Sequence, residues 1–81
     1  MMEQNNLWRC KDLYLAAFVY SQGKELTKVE REGKTCWFVF ANPNALCEEL
    51  QAAYWANRGQ TPPKVFADAI RSLKDLIFAQ A

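Results

Sequence analysis

The chain has 81 residues, 51% of them apolar and 14% aromatic, with ten basic side chains, nine acidic ones and no histidine. A chain of this size makes one small domain that buries only about 60% of its unfolded surface, and its apolar content excludes intrinsic disorder. The net charge of +1 lacks the basic excess of a strong nucleic-acid binder, and the longest near-apolar run, Leu13 to Tyr20, is far too short to cross a bilayer.

In chain order, residues 1–11 are mostly polar and carry no period, so they read as a flexible N-terminal tail that includes Trp8, followed by a single domain over 12–81. Asp12 offers a helix cap, Leu13 to Tyr20 is apolar, and Gly23 can close a last turn, which predicts a helix over about 12–22. Leu15, Phe18 and Val19 share one side of it while Leu13, Ala17 and Tyr20 lie almost opposite. A helix apolar on two sides is central to its fold or part of an interface.

Residues 25–31 and 34–41 alternate as strands about a two-residue loop, Glu32-Gly33. That loop pairs Val29 with Cys36, Thr27 with Phe38 and Glu25 with Phe40 on a core face. Leu26 with Val39, and Lys28 with Trp37, then form a second, half-apolar face. Asn42-Pro43 opens a helix over 43–57 that stops before Gly59, with Leu46 and Leu50 on its stripe and Trp55 on its back. Thr61-Pro62-Pro63 opens another over about 62–79, with the stripe Phe66, Ala69, Ile70, Leu73, Leu76 and Ile77. The expected fold is α+β in the order α-β-β-α-α, a two-stranded antiparallel hairpin packed against three helices.

Tyr14-Leu-Ala-Ala-Phe18 with Gly23, Val29-Glu-Arg31, Phe38-Val-Phe40, Ala53-Tyr-Trp55 and Leu73-Lys74 resemble a family of small bacterial proteins known only as a domain of unknown function. The resemblance covers roughly residues 12–78 and implies a prophage or mobile-element association. It implies no catalytic residues, because its motifs are core and turn positions.

Enzymatic chemistry has little to work with. Histidine, the commonest general base and metal ligand, is absent. Cys10, Cys36 and Cys47 are odd in number, show no CxxC spacing and follow no visible signal peptide, so they read as reduced thiols of a cytoplasmic protein. Cys10, between Arg9 and Lys11, is the nearest approach to an activated nucleophile, yet it reads as a packing residue. No enzyme activity, cofactor, metal or membrane partner is expected. The tryptophans lie off the expected apolar stripes, as interface anchors do. The first reading is therefore an accessory protein that binds another protein or itself. Leu26, Lys28, Trp37, Val39, Trp55 and Arg58 would form its interface, with a homodimer through the hairpin as a specific version. The alternative is a weak nucleic-acid binder or transcription accessory using Lys24, Lys28, Arg31 and Lys34. Packing of the tryptophans within the monomer would make a partner unnecessary.

Overall fold

A computed structural model of the chain describes residues 6–80. The elements are β1 (Leu7–Cys10), α1 (Leu13–Ser21), β2 (Leu26–Glu32), β3 (Thr35–Ala41), a 3₁₀ turn (Pro43–Ala45), α2 (Leu46–Trp55) and α3 (Pro63–Gln80). The expected order is corrected at its start. Residues 7–10 of the expected tail form a strand, and the hairpin becomes a three-stranded antiparallel sheet in the order β1-β3-β2. The remaining expectation of a flexible tail, for residues 1–5, lies outside the described residues.

Trp8 is the reason for the extra strand. Its Cα partner is Phe40 and that of Cys10 is Phe38. Both side chains therefore join the buried face of β3, Trp8 at 8% exposure with its ring centroid 5.8 Å from that of Phe40. Trp8 is a core residue, contrary to the sequence reading. β1 and β2 run parallel to each other with β3 antiparallel between them, a split β-α-β unit whose crossover is α1.

The hairpin loop is Gly33-Lys34, one residue beyond the expected position, because Glu32 pairs with Thr35. Gly33 takes φ +58°, the positive value needed at the first position of a II′ turn. Each partner changes by two positions, so Val29 meets Phe38 instead of Cys36, and Lys28 meets Val39 instead of Trp37. An even change keeps every side chain on its face. The exception is Leu26. A bulge at Thr27, whose Oγ1–H donates to the Val39 carbonyl at 2.9 Å, turns Leu26 to pair with Phe40 and pack against the core.

Helix α1 is buried along Leu15–Val19, as an element apolar on two sides must be when it lies centrally. Asp12 Oδ1 accepts from the Tyr14 and Leu15 N–H groups, and Gly23 follows its last turn at φ +85°. Helix α3 carries the expected stripe into the core, with Ala69 and Leu73 buried. Asp68 binds Lys64 and Arg71 on its solvent side, and the Lys64 hydrogen bond holds the Asp68 carboxyl below its ordinary range.

The second helix starts later than expected. Asn44 and Ala45 adopt left-handed backbone angles, and the α-helix begins at Leu46. Asn42 still caps it, but from a buried position across the loop: its Oδ1 accepts from the Cys47 N–H at 2.8 Å while its Nδ2–H donates to Glu48 at 2.6 Å. Reaching residues five and six positions on forces the intervening chain out of helical geometry. At the far end Asn57, not Gly59, is the left-handed terminator. The Arg58 N–H reaches the Ala53 carbonyl and the Asn57 N–H reaches that of Tyr54, the two bonds of a Schellman close.

Candidate functional site

The structure divides the expected interface between two layers. Lys28, Trp37 and Val39 lie on the outer face of the sheet, away from the helices, whereas Leu26 belongs to the core face and Trp55 and Arg58 to the end of α2. The outer face is already occupied by its own side chains. The Arg9 guanidinium lies 4.4 Å from the Trp37 ring centroid and reaches Glu30 at 3.3 Å and Glu32 at 3.6 Å. The Trp37 indole N–H donates to Glu32 at 2.9 Å, and Lys28 pairs with Glu30 at 3.0 Å. Val39 beneath this cover is only 1% exposed. Trp37 therefore has its apolar face stacked and its donor satisfied within the monomer.

The basic residues of the alternative reading are likewise dispersed. Lys24 precedes β2, Lys28 is on the outer face, Arg31 reaches the Cys36 sulfur at 3.7 Å, and Lys34 sits in the loop. They do not form one stripe.

Trp55 differs from the other two tryptophans. It is 63% exposed on the last turn of α2, edge-on to Tyr54 with ring centroids 5.0 Å apart. With Phe18, Tyr54, Asn57, Gly59, Thr61 and Phe66 it lines a cleft of about 460 Å³ between α2 and α3. The floor is the Phe18 ring, which lies 5.8 Å from Tyr54 between centroids. The loop can cross that floor only at a glycine, because a Cβ on Gly59 would fall 2.7 Å from Phe18 Cζ. The cleft has one unanswered polar group: Thr61 Oγ1 is buried and finds no hydrogen-bond partner among the described residues. An aromatic hollow of this kind is suited to hold an apolar side chain or small apolar group.

The sequence pointed to Trp55 by its position off the helix stripe but missed the rest of this lining. Phe18 and Phe66 read as ordinary stripe residues of two separate helices. The near-contact of Gly59 with Phe18 has no local signature.

Gly59→Ala is expected to displace the Phe18 ring, lower stability by about 1–3 kcal/mol and narrow the cleft. Urea unfolding, together with the shift of Trp55 emission, checks this. An unchanged midpoint would mean that the loop gives way freely.

Cysteine chemistry is restrained by burial. Cys10 donates to the Asp12 carbonyl at 3.4 Å, and burial pushes its thiol up to about 11. Cys47 is raised for the same reason and Cys36 is half-buried beside Arg31. The unfolded thiol ionises from its ordinary 9.0 while the folded Cys10 keeps its proton to about 11. Its contribution to stability is therefore complete below pH 9.0 and declines as the pH rises toward about 11. Urea midpoints measured from pH 8 upward should fall less steeply in Cys10→Ala than in the wild type.

Among the described residues there is no cluster of His, Cys, Asp and Glu side chains placed to hold a metal ion, and no helix long and apolar enough to cross a membrane. The architecture defines a small α+β domain built on a split β-α-β unit with one helical layer. The chain belongs to the family described as Domain of unknown function (DUF5659), whose model matches residues 5–79. No curated protein and no solved structure matches it.

Proposed function

We propose that this protein is a non-enzymatic accessory protein of the cytoplasm that binds another protein through the aromatic cleft around Trp55. The observation that carries this reading is the contrast among its tryptophans. Trp8 is buried, Trp37 is stacked and hydrogen-bonded, and Trp55 alone of the three stands largely exposed beside an aromatic hollow. Exposed aromatics beside a desolvated pocket are the usual anchors of binding energy. Arg58, exposed next to the cleft, serves as its polar rim. The non-enzymatic part is supported by the raised thiol of Cys10, which keeps the most plausible nucleophile protonated at neutral pH. The prophage or mobile-element origin is part of the proposal and rests on the sequence resemblance alone.

Peptides selected from a displayed random library against the whole protein test the reading. Selected binders should carry an aromatic or long aliphatic anchor and quench Trp55 emission. They should lose about 2 kcal/mol or more of affinity on Trp55→Ala, which should unfold within about 0.5 kcal/mol of the wild type. Binders that ignore Trp55→Ala would place recognition elsewhere.

A further inference from the structure

From the edge of the sheet we infer that two copies of this chain associate by antiparallel pairing of their β2 strands about Val29, giving one continuous six-stranded sheet. Among the described residues β2 is an edge strand, with β3 on one side only. A two-residue loop makes Glu32 and Thr35 a hydrogen-bonded pair. Bonded pairs alternate along an antiparallel ladder, so Glu32, Glu30 and Lys28 turn their backbone groups toward β3. Arg31 and Val29 turn theirs to the open edge.

Charge then selects the register. Two copies related by a two-fold axis normal to the sheet keep their helices on the same side, and each residue must face one of the same parity. Centring the axis on Val29 sets Lys28 of each copy opposite Glu30 of the other, on the outer face. Centring it on Lys28 or on Glu30 brings two like charges together at the axis, and centring it on Arg31 opposes Glu30 to Glu32. A centre on Thr27 falls at the bulge, where the regular ladder is broken, so among the regularly paired residues Lys28 to Arg31 the interleaved charges, which would deter indiscriminate strand pairing, admit one arrangement. Lys28 and Glu30 are already held at the edge, 3.0 Å from each other within one chain. Alongside the edge runs a groove of about 580 Å³ lined by Tyr20, Leu26, Val29 and Leu76, among others, which offers apolar surface to the second copy.

This inference concerns a different surface from the Trp55 cleft, and sedimentation of the whole chain over a concentration series separates the two. A wild-type dimer is expected. Lys28→Glu alone, and Glu30→Lys alone, should each weaken it about tenfold or more, because two opposite-charge pairs become two like-charge pairs. An equimolar mixture of the two variants should recover a dimer, since both of its cross-strand pairs are again complementary. The Val29 and Arg31 amides should gain hydrogen-exchange protection as concentration rises, a readout independent of any variant. A strict monomer at the highest concentration, no recovery on mixing, or no added protection at those amides would each overturn the inference. A dimer lost in Trp55→Ala but kept in Lys28→Glu would overturn it as well, in favour of self-association through the cleft.

Discussion

Replacing Trp8 with alanine is expected to remove about 3–5 kcal/mol of folding stability, the range for deleting a large buried aromatic. A core of this size supplies only roughly 3–5 kcal/mol in total, so the variant should be largely unfolded at room temperature. The loss has two parts. The indole fills the core face of the sheet against Phe40, and its strand is held to β3 by pairing that runs from Leu7 opposite Ala41 to Cys10 opposite Phe38. With the side chain gone, only the small Cys10 still holds β1 to the core, because Leu7 is half-exposed and Arg9 points to the outer face. Arg9 would leave with the strand, uncovering Trp37 and Val39. Circular dichroism and urea unfolding read the change. A Trp8→Ala protein with wild-type stability would show that β1 is an ornament to the fold. The exposed Trp55, replaced in the same way, is the control for removing an indole without removing a core.

The second large effect is expected at Leu73. It is fully buried in the cluster that joins α3 to α1 and the sheet. Leu73→Ala leaves a cavity between elements held rigidly by their neighbours, at a cost of about 2–5 kcal/mol. The urea midpoint should fall while the slope of the transition is retained, since the surface exposed on unfolding hardly changes. Phe78, five residues on and 74% exposed, should be replaceable by alanine within about 0.5 kcal/mol. Equal effects at the two positions would contradict the placement of the α3 stripe.

Legibility in the sequence followed how local each determinant is. Helix α3 was readable because its stripe repeats over eighteen residues and its start is marked by prolines. Helix α1 was readable from Asp12, Gly23 and the apolar run between them. Strand β1 was not, because four residues with alternate polar neighbours carry too little period, and what makes them a strand is pairing with residues some thirty positions away. The hairpin faces survived a misplaced loop because the displacement was even; Leu26 changed face through a bulge that nothing in its neighbours announces. Asn42 was recognised as a cap, but its reach to Cys47 and Glu48 is a tertiary fact. Of the candidate cleft, Trp55 was visible as an aromatic out of place. The packing of Gly59 on Phe18 joins residues from opposite halves of the chain and could be seen only in the folded molecule.

The central position of β3 constrains the order in which the molecule can assemble. The segment translated early, residues 7–10, has no described strand to join until residues 38–41 have left the ribosome, since among the described residues its neighbour in the sheet is β3 alone. The β2–β3 hairpin closes over two residues and can form quickly, whereas β1 must wait for a long loop to close at a correspondingly greater entropic cost. Until then Trp8 and the far edge of β3 are open to other chains. The interval between completing Ala41 and seating Trp8 is therefore one in which a large aromatic and an open strand edge are exposed together.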